Sequence, residues 1–135
     1  METSRSDNDV YGHINNSIYG ILIDSIVNAY LIDRCGLEPQ LSEQIGLVVN
    51  SYCDFFASIS YPAVVELGLG IVDIGRSSVK YEVGVFEEGE DEVKAVGGFT
   101  HVFVDRRSRR PDKKGMNANL KSGLLNVNRK TNAKL

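Results

Sequence analysis

One long segment of helical spacing, followed only by strand-like segments, constrains the fold of this chain more than anything else in its sequence. Between residues 15 and 35 the apolar residues fall at Ile18, Tyr19, Leu22, Ile23, Ile26, Val27, Tyr30 and Leu31, which makes one broad buried stripe. Asn15 suits an N-cap, and Gly36 followed by Pro39 stops the helix. Gly20 inside it weakens the helix slightly, and close packing against a sheet is the expected compensation. Four β-rich segments follow, at 46–59, 64–74, 78–86 and 93–104. The third alternates well, with Val79, Tyr81, Val83 and Val85 set against Lys80, Glu82 and Gly84. The acidic stretch 87–91, which contains Gly89, reads as a hairpin loop. Gly97-Gly98 marks a bulge or a close backbone approach in the fourth strand. A helix followed by a four-stranded antiparallel meander implies an α+β fold, with the sheet wrapped around the helix.

At 135 residues the chain is long enough for one domain with an ordinary core, and its apolar share of 42% is that of a globular protein. Asp24 and Asn28 interrupt the longest apolar stretch well short of a membrane span. The acid-rich first nine residues lack the apolar stretch of a signal peptide, so a cytoplasmic location is expected. Cys35 and Cys53 form neither a close metal spacing nor a disulfide framework, and read as small residues in a reducing compartment. Charge is unevenly spread. Residues 1–104 carry a balance of −11, whereas residues 105–135 carry +8. No aromatic residue follows Phe103, so this basic stretch offers no base-stacking platform and nucleic acid is not an expected partner. Met116, Leu120 and Leu124 are four apart and could make one short helix, weakened by Gly123. The expected organisation is therefore a domain over 1–112 and a basic tail over 113–135, disordered from about 121 onward.

Chemistry concentrates near the start, in Ser6-Asp7-Asn8-Asp9-Val10-Tyr11-Gly12-His13-Ile14-Asn15-Asn16. Two carboxylates two residues apart precede the start of the long helix, where unpaired backbone N–H groups and the helix dipole favour negative charge. A carboxylate to drive attack and N–H groups to hold an oxyanion are what acyl transfer needs. On spacing alone, turn formation and N-capping by Asp7, Asp9, Asn15 and Asn16 compete with that role. No Ser-His-Asp elbow, phosphate loop or metal cluster is visible.

The run Asp7-Asn8-Asp9-Val10-Tyr11-Gly12-His13-Ile14-Asn15-Asn16 resembles the signature that opens the long helix in hot-dog-fold acyl-CoA thioesterases of the 4-hydroxybenzoyl-CoA thioesterase-like family. Ser60-Tyr61-Pro62, Gly75-Arg76-Ser77-Ser78-Val79 and Thr100-His101-Val102-Phe103-Val104-Asp105 are similar to that family's later strands, in order, so the likeness spans about residues 6–105. Relatives carry a strand before the first motif, whereas only residues 1–5 precede it here, so that strand is expected to be shortened.

The resemblance implies hydrolysis of an acyl-CoA thioester to a carboxylic acid and CoA. It implies no metal and no cofactor, since CoA enters as part of the substrate. Asp9 matches the catalytic carboxylate, as nucleophile or general base. Gly12 lets the ligand approach the backbone, and Asn16 orients water or the carbonyl. His13 is an acid–base candidate with a structural hydrogen-bonding role as its rival. Asn15, Ser58 and Ser60 are implied substrate contacts, and Arg76, Ser77 and Ser78 would meet the CoA phosphates. His101 is expected to be structural. Family members pair into dimers or tetramers with sites at the subunit interface, so a homo-oligomer is expected. The alternative is a non-catalytic hot-dog module that binds acyl-CoA or only self-associates.

Overall fold

The structure is a computed structural model that describes residues 16–60 and 62–130, with side chains as far as Val127. Helix α1 runs Asn16–Cys35. Gly36 ends it with a φ of 71°, a conformation that suits glycine, and the Leu37 N–H returns to the Leu31 carbonyl at 3.0 Å. Four strands follow, β1 Gln44–Phe55, β2 Val65–Ile74, β3 Ser78–Glu87 and β4 Ala95–Asp105, then helix α2 at Ala118–Lys130.

All strand pairs are antiparallel, but the order across the sheet is β1-β4-β3-β2. Only β2, β3 and β4 form the expected meander; β1 sits beside β4. The chain leaves β1 at Phe56, where Phe56 and Ala57 donate to the Lys94 carbonyl, and crosses to β2 at the opposite edge. The segment 56–64 therefore spans the sheet instead of turning back, and Ile59 anchors it in the core beside Tyr19. Register shifts fall at Val48/Asn50 in β1 and at Ile71/Asp73 in β2. At Gly97-Gly98 the β1–β4 register is unbroken, so the glycines serve close approach rather than a bulge. A Cβ at Gly98 would lie 2.0 Å from the Tyr81 carbonyl oxygen.

One face of the sheet curves around α1, giving the hot-dog arrangement of an α+β fold. Ile23, Val27 and Leu31 of α1 pack on Leu69, Val79, Tyr81, Val83, Phe99 and Phe103 from the strands. A smaller cluster of Tyr19, Leu22, Ile59, Val65, Val85 and Ala95 lies at the N-terminal end of the helix. The Tyr19 ring meets Phe55 edge-on at 5.1 Å.

Helix α2 corrects the expectation of disorder from residue 121, at least as far as Lys130. Leu120, Leu124 and Val127 are fully buried in the main core, joined by Met116 just before the helix. Asn117 caps the start by accepting the Leu120 N–H at 2.9 Å. Gln44, itself buried, clamps the approach by donating to the Gly115 carbonyl and accepting the Asn117 N–H. Gly123 is part of the fit rather than a weakness. The Tyr30 hydroxyl donates to its carbonyl at 2.7 Å, and a Cβ there would meet the Cys35 sulfur at 2.5 Å. Among the described residues no helix is long and apolar enough to cross a membrane.

Candidate active site

Among the described residues the N-terminal end of α1 borders a cleft, whereas its C-terminal end is covered by α2. A cleft of about 340 Å³ lies between the first two turns of α1 and the β1–β4 pair. Asn16, Ser17, Gly20 and Ile23 form its helix side, and Ser51, Tyr52, Cys53, Gly98 and Phe99 form its sheet side. The helix residues share a face because they recur at three- to four-residue spacing. The sheet residues meet because β1 pairs with β4, with Tyr52 opposite Gly98 and Ser51 opposite Phe99. Small residues keep the floor low. A Cβ at Gly97 would press on Ile23 Cδ1 at 2.6 Å, so Ile23 is seated directly against the β4 backbone.

Electrostatically the described lining is neutral. Burial raises the Cys53 thiol, and the charge of Asp54 raises it further, so Cys53 is protonated near neutral pH. Burial likewise raises the Tyr52 phenol, with Glu82, Asp54 and Cys53 adding to the shift. No carboxylate, lysine, arginine or histidine belongs to the described lining. The cleft nevertheless faces the positive end of a 20-residue helix whose first turn contains no acidic residue. It can therefore accept developing negative charge, but a reacting base must be delivered from elsewhere. Among the described residues no group of three His, Cys, Asp or Glu side chains is placed to hold a metal ion.

The residues singled out in the sequence divide into three sets. Asp9, Gly12, His13 and Asn15, with Asp7, lie outside the described residues. Asn16 opens α1 and lines the cleft. Ser58 and Ser60 flank buried Ile59, whose backbone pairs with Tyr19, so they lie at the same end of the helix without lining the cleft. The third set, Arg76, Ser77 and Ser78, lies at the far end of the sheet. Phe103 donates to the Ser77 carbonyl at 2.7 Å, five residues along β4 from Gly98. At about 3.3 Å per residue that is roughly 16 Å from Gly98 and about 13 Å from Phe99, the nearest lining residue on β4. Arg76 is held there by the C-terminal segment: its guanidinium donates to the Lys113 carbonyl, and its own carbonyl accepts the Met116 N–H.

His101 is structural, as expected. It is 4% exposed, shares a 3.0 Å hydrogen bond with the Tyr81 hydroxyl through Nδ1, and stacks edge-on with Phe99 and Phe103. Burial holds its pKa down to about 4, opposed by the charge of Asp24. Residues that the sequence did not assign to the site are Ser17, Gly20, Ile23, Ser51, Tyr52, Cys53, Gly98 and Phe99. Only strand pairing brings the last five beside the helix, and no local spacing announces that.

Comparison with known proteins agrees with this fold. The family model described as the thioesterase superfamily matches residues 11–94. The PA5185 protein from Pseudomonas aeruginosa strain PAO1 is 46% identical, with a TM-score of 0.89 over 95% of this chain and 88% of that one. The SAV2348 protein from Staphylococcus aureus, solved in complex with CoA, superposes with a TM-score of 0.86 at 14% identity, covering 96% of this chain and 81% of its own. A 1,4-dihydroxy-2-naphthoyl-CoA thioesterase from Synechocystis, Slr0204, gives 0.81 at 13% identity, covering 93% and 92%. These two remote likenesses speak for the fold alone. No curated protein sequence matches the chain significantly.

Proposed function

The chain belongs to the thioesterase superfamily, and from that premise we propose that it hydrolyses acyl-CoA thioesters to a carboxylic acid and CoA at the open end of α1. The observation that carries this reading is the cleft at the positive end of the helix, with Asn16 on its rim and no ionised group in its described lining. A thioester carbonyl placed there has its oxygen beside the helix N-terminus, which favours the charge that builds up on attack. The missing base is Asp9, seven residues before α1 and at the catalytic position of the family motif.

Asp9 acts by one of two routes. As nucleophile, its oxygen bonds to the carbonyl carbon, the C–S bond breaks, and water then hydrolyses the mixed anhydride. As general base, it takes a proton from water while the water oxygen bonds to that carbon. The departing CoA thiolate then takes the proton back from the carboxyl group. Gly12 admits the substrate close to the backbone, Asn16 orients the carbonyl or the water, and His13 and Asn15 support that entrance. Ser58 and Ser60, at the same end of the helix, suit the pantetheine arm.

Self-association belongs to the same reading. Among the described residues the outer edge of β1 has no strand partner, and Val48 and Val49 on it are 53% and 60% exposed. Two-fold antiparallel pairing of two such edges would set the far end of one sheet beside the cleft of the other. Arg76, Ser77 and Ser78 would then serve the CoA phosphates across the subunit boundary. A neutral lining also suits a module that binds acyl-CoA without cleaving it, and Asp9 separates the two readings. With free thiol as readout on a panel of acyl-CoAs, Asp9→Asn should lower kcat by about 100-fold or more at unchanged oligomeric state. Undiminished turnover would remove Asp9 from the mechanism. Binding by the wild-type protein without turnover of any acyl-CoA would favour the non-catalytic module.

A further inference from the structure

We propose that Gly20 is the specificity-determining position of the cleft, setting how bulky an acyl group it admits; the inference rests on the thioesterase reading above. Glycine inside a helix is up to about fivefold less favourable than alanine for local stability, through the backbone freedom it loses. Packing among the described residues gives no reason for that loss at Gly20. A Cβ there would meet no atom of the described residues within 4 Å, whereas one at Gly97, Gly98 or Gly123 would collide with a neighbour at 2.0–2.6 Å. The expectation that Gly20 permits close packing on the sheet is thereby corrected: its open side faces the cleft that it lines.

The position of Gly20 along the cleft identifies what passes over it. Asn16, one turn earlier, lies at the helix N-terminus where the thioester carbonyl is placed, and Ile23, one turn later, forms the inner wall. Opposite lie Cys53 and Phe99, brought to the cleft by the β1–β4 register, in which Cys53 pairs with Gly97 and Phe99 with Ser51. An acyl group attached to a carbonyl near Asn16 must therefore cross Gly20 to reach the apolar surface of Ile23, Phe99 and Cys53. Any side chain at residue 20 would project into that path and shorten it. Each methylene excluded from an apolar site corresponds to about fourfold in transition-state binding, so two lost methylenes give about 15-fold.

The test measures kcat/KM over straight-chain and aromatic acyl-CoAs for the wild type, Gly20→Ala and Gly20→Leu, with sedimentation and thermal unfolding in parallel. In Gly20→Leu the ratio of kcat/KM for the longest accepted acyl-CoA to that for the shortest should fall by at least about tenfold. Gly20→Ala should tilt the ratio the same way by a smaller factor, with a melting temperature equal to or above that of the wild type. A uniform loss over all acyl groups, or an unchanged profile, overturns the proposal. So does dissociation of the oligomer in Gly20→Ala, which would assign the space to a packed partner helix. A wild-type protein inactive on the whole panel would instead overturn the thioesterase reading, and this inference with it.

Discussion

The two ends of α1 are built on opposite terms. At the C-terminal end the helix disappears under α2: Leu31 and Cys35 pack with Leu120, Leu124 and Val127, and Gly123 lets the helices touch at Cys35. At the N-terminal end a small cluster holds Tyr19 and Leu22, and beside it, among the described residues, Gly20, Ser17 and Ser51 line a cleft. The chain's two cysteines mark the contrast. Burial pushes the Cys35 thiol to about 11 at the closed end, whereas Cys53 is half-buried in the cleft. One helix thus has a packed end where its dipole is negative and, among the described residues, a cleft where its dipole is positive, and the proposed function places the ligand in that cleft. Mutations at the closed end should therefore change stability, and mutations at the open end should change turnover or selectivity.

The hardest blow to the closed end is Leu124→Ala, which leaves a cavity between α2 and the sheet. It should destabilise the protein by about 2–5 kcal/mol in denaturant unfolding, while kcat of the protein that remains folded is unchanged. A loss of turnover without a loss of stability would break the division of labour. Beneath the middle of the helix, buried His101 should make stability depend on pH. Its folded pKa of about 4 lies below the unfolded value of about 6.5, so the unfolded chain binds the proton more readily. Stability from this group is fully present above pH 6.5 and is lost as pH falls from 6.5 toward 4, by up to about 3 kcal/mol. The double variant Tyr81→Phe/His101→Phe, which removes both hydrogen-bonding partners, should have a shallower pH dependence in that window. An unchanged slope would show that His101 does not carry it. Asn117→Ala, which removes the α2 cap, should cost about 1 kcal/mol and leave the acyl-CoA profile untouched. A shifted profile would mean that the closed end reaches the substrate.

Much of the fold is legible in the residues because local periodicity announces it. The helical stripe from Ile18 to Leu31 and the alternation through Val79, Tyr81, Val83 and Val85 are found as helix and strand. The order of strands was not legible, since nothing in residues 56–64 distinguishes a turn back from a crossing; Ile59 settles it only by burial beside Tyr19. The extent and burial of helix α2 are hidden for a related reason. Its basic composition and Gly123 look like a solvated tail until Leu120, Leu124 and Val127 are seen to fill the space beside Cys35. At the site, Asn16 was legible from the motif around it, whereas Ser51, Cys53 and Gly98 become neighbours only through the β1–β4 register. The turn at Arg76 suggests a phosphate ligand, but nothing local in the sequence shows that one guanidinium nitrogen donates to the Lys113 carbonyl of the C-terminal segment.

The central claim is that the thioester is held at the open end of α1. A crystal structure of the protein with a non-hydrolysable acyl-CoA thioether tests it most directly. The account predicts the sulfur and the adjoining carbon beside Asn16, with the acyl group lying over Gly20 against Ile23 and Phe99. An acyl group bound at the α2 end of the helix, or on the outer face of the sheet with the cleft left empty, would contradict it.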